Sequence, residues 1–306
     1  MNTIVRRLGI GVGMLVAVLV AVIVVAVGAI YVVSQRHMDE KLTVAGHEVM
    51  VPTDSLSIER GRHIATAISK CAECHGKNLG GTEFINAPPI AHLYAINLTR
   101  GKGGVGGALS DLDWERAIRH GVAPDGRKLL FMPATEFQNL NDEDFAALVA
   151  FLKSVPPVDR EWPKSTVGPV GRALYLKGDL PLLPAEEIKH LAAPSKAVMP
   201  GPTLEYGRYL ASVGGCEGCH GPTLSGGHIP GTPPEWKPAA NLTPTGIGHY
   251  KEEDFFRALR EGKRPGGTML DTVYMPVRWT KLMTDDETRA IFTYLKTVPP
   301  KAYGGR

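Results

Sequence analysis

All four cysteines of this 306-residue chain lie in two hexapeptides, CAECHG at 71–76 and CEGCHG at 216–221. Each sets Cys-x-x-Cys directly before a histidine. A redox-active dithiol of this spacing belongs in a thioredoxin-like βαβ context, which the flanking sequence does not supply. One zinc shared by both pairs would require equivalent corners of two halves to meet, and would leave two histidines without a task. Disulfides across a two-residue gap close almost no loop and stabilise little. A covalently attached haem uses every residue. Two cysteines on one helical turn reach the two vinyl groups of a porphyrin and form thioethers, and the next residue lies under the iron as proximal ligand. Cys71, Cys74 and His75 would hold one haem c, and Cys216, Cys219 and His220 a second.

The opposite axial ligand is read from repetition. Phe131-Met132-Pro133 and Tyr274-Met275-Pro276 lie 57 and 55 residues beyond their proximal histidines. A lone methionine is ordinarily core filling; equivalent placement after two such motifs makes Met132 and Met275 the expected iron ligands. Met269 and Met283 are rivals without a counterpart in the first half. His92, His120, His228 and His249 do not align in pairs, so they are read as structural or solvent-facing. A histidine–methionine pair raises the potential and closes both axial positions. It suits one-electron exchange rather than substrate binding, and no nucleophile–base arrangement argues otherwise.

Two repeated units must position these residues. GRHIATAISKCAECHG at 61–76 answers GRYLASVGGCEGCHG at 207–221, NLT at 97–99 answers NLT at 241–243, and WERAIRHG at 114–121 answers FFRALREG at 255–262. FLKSVPP at 151–157 answers YLKTVPP at 294–300, all at an offset of roughly 143 residues. Each half reads as three helices joined by long loops. Ser110 with Asp113, Asn141, and Thr284 with Glu287 supply helix starts, and the Val-Pro-Pro runs stop the last helices. No segment alternates well enough to predict a strand. The expected fold is all-α, with two tandem homologous haem-binding domains at 42–158 and 201–306. Between them lies a proline-rich connector at 159–200, with a short helix expected near 184–191. Asn97 and Asn241 open the shared triplets and are expected to bond a haem propionate or their own loop. GKGGVG at 101–106 fits a dinucleotide fingerprint only in isolation, because the βαβ context is missing.

The first 41 residues form a separate segment. Leu8 to Val33 are 26 residues without a charge, where about 20 suffice to cross a bilayer. Arg6 and Arg7 precede the run and a nearly balanced set of charges follows, which predicts a cytoplasmic N-terminus. The alternative is a signal peptide cleaved near VGA at 27–29, against which the length of the run argues. Either way the remainder is exported, to the periplasmic face of a bacterial inner membrane. A net charge of +3 and the lack of a basic run with interleaved aromatics point away from nucleic acid. Arg257, Arg260, Lys263 and Arg264 form a local basic group, either a solvated helix face or a docking patch.

The motifs around Cys71, Cys74, His75 and Met132, and around Cys216, Cys219, His220 and Met275, resemble those of class I c-type cytochromes of the tandem two-haem kind. ANLTPTGIG, DFFRALREG and DEDFAALVAFLKSVPPV are similar to stretches in the cytochrome subunits of membrane-bound alcohol and gluconate dehydrogenases. The resemblance covers about 60–158 and 205–300 and implies two helical domains, each wrapped on a covalent haem, passing electrons along the haems. Those subunits typically carry three haems and are not held by an N-terminal span. The first half also lacks the GIG of the second. The expected protein is a membrane-anchored di-haem relay. Its partners would be a quinol-oxidising complex, a dehydrogenase, a terminal oxidase or a photosynthetic reaction centre. The alternatives are a fixed subunit of a membrane-bound dehydrogenase and, further off, a di-haem peroxidase or thiosulfate-oxidising enzyme.

Overall fold

The structure is a computed structural model and describes residues 3–233 and 235–305. The uncharged run lies within one continuous helix, α1 (Thr3–Asp39). Its Gly9–Asp39 stretch reaches a mean hydropathy of 3.2 and is long and apolar enough to cross a membrane. From Val12 to Val33 its valines and leucines are exposed on all sides, up to Ser34, which is fully buried.

The two repeats fold alike. In the first, α2 (Ser55–His63) runs through a π-helical turn (Ile64–Ile68) into α3 (Cys71–His75). Then come α4 (Asp111–His120), the short α5 (Ala134–Phe137) and α6 (Asp142–Ser154). After the connector, which contributes α7 (Pro169–Lys177), the second has α8 (Leu204–Val213), α9 (Cys216–His220), α10 (Pro244–Ile247), α11 (Glu252–Glu261), α12 (Val277–Thr280) and α13 (Asp285–Leu295). The expected caps form. Ser110 and Thr284 close capping boxes with Asp113 and Glu287, and the Asn141 side chain accepts from the Asp144 amide at 2.8 Å. In each repeat the helix leading to the cysteine motif crosses the last helix backbone to backbone. A Cβ added at Gly61 would lie 1.8 Å from the Ala147 carbonyl oxygen, and one at Gly207 would lie 1.9 Å from that of Ala290. Only glycine permits these crossings.

The sequence predicted no strand, yet the first repeat carries a small sheet of order β1 (Thr82–Ala87), β2 (Ala91–Ala95), β3 (Thr166–Val167). Pro88 and Pro89 lie in the turn between β1 and β2, and an irregularity between Glu83 and Ile85 breaks the period-2 pattern a sequence reader needs. The third strand comes from the connector, so the sheet is non-local by construction. The connector also differs from expectation. Its helix is α7, and within 184–191 only a 3₁₀ turn forms, at Pro184–Glu186. Its first residues strap the first repeat: Trp162 Nε1 donates to Gly80 O at 2.9 Å, and the Arg160 amide donates to Lys102 O.

One apolar core runs through both repeats, from Ile64, Ile68, Phe145 and Leu148 to Leu210, Val213, Ile291 and Leu295. The contact between repeats is itself nearly two-fold. Glu287 takes His63 Nε2 at 2.8 Å, and its counterpart Asp144 takes the hydroxyl of Tyr209, the counterpart of His63, at 2.8 Å. Arg60 binds Asp144 through two nitrogens at 2.8 and 2.9 Å and reaches Glu287 at 3.3 Å. Burial opposes the Arg60 charge, but the Asp144 carboxylate outweighs it and holds the guanidinium firmly protonated.

Candidate haem sites

α3 and α9 are single turns that each begin after a residue in the left-handed region, Lys70 (φ 51°) and Gly215 (φ 66°). Lysine is strained there where glycine is not. The turn is needed to break from the preceding helix and set two cysteines and a histidine on one short coil. No disulfide joins either pair. Burial pushes the Cys71 thiol up to about 11 and the Cys74 thiol up to about 12, and it raises Cys216 as well. A redox-active dithiol needs the opposite shift. These thiols stay neutral.

Both histidines are oriented by the same device. His75 Nδ1 meets the Ile96 carbonyl oxygen at 2.8 Å, and His220 Nδ1 meets that of Ala240 at 2.7 Å. The carbonyl requires a proton on Nδ1 and leaves Nε2 as the basic nitrogen, the form a metal ligand needs. Burial pushes the His75 imidazole down against the raising effect of that hydrogen bond, so the ring is neutral at ordinary pH.

The orienting carbonyls precede Asn97 and Asn241, and both asparagines clamp their own loop. Asn97 Oδ1 accepts from the Thr99 amide and hydroxyl at 2.9 and 2.8 Å, while Nδ2 donates to Val158 O at 2.6 Å. Asn241 repeats the pattern with Thr243 at 2.9 and 2.7 Å and Lys301 O at 2.8 Å. Of the two roles anticipated for these asparagines, the loop role is the one their contacts display. In the glycine run between 101 and 106, a Cβ at Gly104 would fall 2.1 Å from Thr99 O. Those glycines let the loop fold against itself.

Met132 and Met275 are half-buried and pack against the same core cluster as Cys71 and Cys216. Met283 is buried within that core and Met269 is exposed. Among the aligned-out histidines, His92 pairs with Glu83 and the buried His120 faces His190, with their Nδ1 atoms 3.0 Å apart. Arg257 and Arg260 of the basic group pair with Asp254 and Asp285.

Sequence reasoning missed what joins the two sites. The half-buried Lys70 ammonium donates to Ile68 O at 2.8 Å and, across the interface, to Gly214 O at 2.5 Å. Burial lowers its pKa. Beside it, Glu73 of α3 accepts from Arg278 Nε at 3.0 Å and from the Trp279 indole of α12. The counterpart contact sets Glu136 of α5 against α9, where a Cβ on Gly218 would approach Glu136 Oε1 to 2.8 Å. Each cysteine helix therefore leans on the helix that follows the other repeat's methionine. Lining up residues 60, 63, 73, 136 and 144 with 206, 209, 218, 279 and 287 is the signal that would have found this surface.

The two histidines held at Nδ1 by backbone carbonyls, the cysteines on the same turns and the methionines on the same core fit a pair of covalent haems. The fold and these sites define a mostly helical protein of two repeated domains, each with one Cys-x-x-Cys-His turn. The chain belongs to the cytochrome c family, whose sequence profile matches residues 58–156 and 204–299. It is 31% identical over 281 residues to the gluconate 2-dehydrogenase cytochrome c subunit of Pantoea cypripedii, covering 80% of this chain and 60% of that one. It is 30% identical over 283 residues to the fructose dehydrogenase cytochrome subunit of Gluconobacter japonicus, covering 82% and 54%. A diheme cytochrome c-type protein of Cereibacter sphaeroides is 32% identical over 222 residues, covering 64% of this chain and 68% of that one. The chain spans a little over half the length of the dehydrogenase subunits it matches.

Proposed function

We propose that this chain is the electron-transfer subunit of a membrane-bound dehydrogenase complex, carrying two covalent haem c groups on the periplasmic side of a bacterial inner membrane. The sequence alone left a free relay and a fixed subunit both open. The relatives, several of them cytochrome subunits of dehydrogenases, favour the fixed subunit. The domains are assigned as an anchor at 1–41, a cytochrome domain at 42–158, a connector at 159–200 and a second cytochrome domain at 201–306.

The observation that carries the reading is the repeated Nδ1-to-carbonyl bond on His75 and His220. It presents Nε2 as a ligand twice over, in the same chain context. Cys71 and Cys74, and Cys216 and Cys219, are assigned to the thioethers; His75 with Met132, and His220 with Met275, are assigned to the axial positions. A haem held in this way supplies a one-electron iron couple with both axial positions closed. The protein orients each imidazole through its Nδ1 bond and backs both sites with a shared core. It also braces the two cysteine helices through Lys70 and Glu73, so that the centres keep a fixed relation during transfer. Substrate oxidation belongs to a partner subunit.

Purification of the full chain in mild detergent tests both levels. We expect a mass increase equal to two haems and a dehydrogenase subunit in the same fraction. Haem-loaded protein that emerges alone, and is reduced by a quinol-oxidising complex as fast as by any dehydrogenase preparation, would favour the free relay. Protein without added haem mass would end the reading altogether.

A further inference from the structure

The anchor does not lead into a free tether. Beyond the last residue of the uncharged run, α1 continues for six residues, and α7 packs on it there. Arg172 Nη1 donates to Ser34 Oγ at 2.8 Å and Nη2 to Gln35 Oε1 at 2.9 Å, and the guanidinium lies 4.5 Å from the centre of the Tyr31 ring. Lys128, whose side chain is fully buried, binds Glu40 at 3.0 Å and Glu186 at 2.7 Å. Glu186 also takes the Tyr175 hydroxyl at 2.6 Å. Met38 of α1 joins a small core with Leu93, Val167, Leu182 and Phe131, the residue before Met132.

This contact fixes the height of α7. At about 1.5 Å per residue the uncharged run is about 39 Å long, against about 30 Å of hydrocarbon. Whether it tilts or overhangs, Tyr31 to Gln35 come to the level where apolar core meets headgroups, the usual depth of a belt tyrosine. Bonded to those residues, α7 lies at the same level. Its inward residues are Gly171, Arg172, Leu174 and Tyr175. At about 100° per residue, Pro169, Val170, Ala173, Leu176 and Lys177 fall within an arc of about 120° on the other side. Val170 is 45% and Leu176 37% exposed. An apolar stripe closed by one lysine, held at the polar boundary of a bilayer, has lipid as its neighbour.

We infer that the exposed stripe of α7 is a second membrane contact, seated in the lipid interface beside α1, which holds the haem domains at a set orientation to the bilayer. This rests on the anchor reading of α1. Lys177, which closes the stripe, pairs with Asp179 at 2.6 Å, so the apolar residues and not a free cation carry the contact.

The full chain in vesicles of phosphatidylethanolamine and phosphatidylglycerol tests it, with a photoreactive side chain introduced singly at Val170, Leu176, Val20, Leu56 or Val273. All five positions are exposed, so folding is undisturbed. Lipid adducts are expected at Val20, Val170 and Leu176, with at least fivefold lower yield at Leu56 and Val273. Adducts at Val20 with none above the Val273 level at Val170 and Leu176 would overturn the proposal and leave the anchor intact. Absence of adducts at Val20 too would remove the anchor itself. Protein–protein adducts in place of lipid at Val170 and Leu176 would assign the stripe to a partner chain and also overturn the proposal.

Discussion

Gly207→Ala should destabilise the second repeat without touching either haem ligand. The new Cβ would stand 1.9 Å from the Ala290 carbonyl oxygen, 2.4 Å from its carbon and 2.9 Å from Tyr294 Cβ. The first distance is about 1.5 Å inside the roughly 3.5 Å at which such atoms attract. The obstacle is helix backbone, which cannot rotate away as a flexible side chain could, so α8 and α13 must separate within a close-packed core. Overpacking of this kind costs about 1–3 kcal/mol and at times more, and the depth of the clash argues for the upper part, about 3 kcal/mol. Alanine is the better helix former by about 1 kcal/mol, leaving a net loss of about 2 kcal/mol. For two repeats that share one core, on the scale of about 150–250 residues or more, that lowers the melting midpoint by about 4–8 °C. Thermal unfolding of the haem-loaded protein, followed by circular dichroism and haem absorbance together, reads the shift. Gly61→Ala should reproduce it in the first repeat, where the equivalent contact is 1.8 Å. A midpoint equal to or above that of the parent for either variant would refute the close crossing.

Replacing Met275 by alanine should lower the potential of one haem and leave the other near its original value, with Met132→Ala acting on the opposite haem; redox titration of the two reads this directly, and two unmoved potentials would remove both methionines from the ligand set. Glu287 gives a pH dependence of known sign. Burial raises its pKa, but the His63 bond, the capped Thr284 amide and Arg60 more than offset this and hold it below the ordinary carboxylate value of 4.5. A depressed carboxylate stabilises the fold above its unfolded pKa, and this contribution is lost as pH falls through the lower folded value. Acid denaturation curves should therefore flatten in Glu287→Gln below about pH 4.5, and unchanged curves would contradict the pairing. Asn241→Ala strands the Thr243 amide and leaves Lys301 O with the Thr243 hydroxyl alone at 3.2 Å, a loss of about 1–3 kcal/mol; the methionine-to-iron charge-transfer band should weaken for one haem only as the Ala240 carbonyl loosens its hold on His220.

How much was legible follows from how local each signal is. Cys71, Cys74 and His75 are contiguous, as are Cys216, Cys219 and His220, so their chemistry could be named from spacing. The caps at Ser110, Asn141 and Thr284 were equally plain, because a cap involves a side chain and a backbone amide three residues away. The sheet was not legible. β3 is 71 residues or more beyond the end of β2, and the pairing of Ala91 with Val167 replaces any alternation in the strands themselves. For α7, Pro169 at its start and Gly178 after its end were both visible, but its length depends on α1 packing against it.

What the sequence by itself determined is the doubled chemistry: two attachment motifs, two methionines, two asparagine triplets and one apolar span, each encoded in a few adjacent residues and doubled by an internal repeat. Only the tertiary structure decided how the copies meet. Lys70 reaches a carbonyl 144 residues away, Glu73 reaches an indole 206 away, and Arg172 reaches back 138 to the foot of the span. The first spans one repeat, and the other two follow no period along the chain. They exist because two cores close around one apolar cluster, and burying that cluster brings polar groups together that no local propensity could have paired.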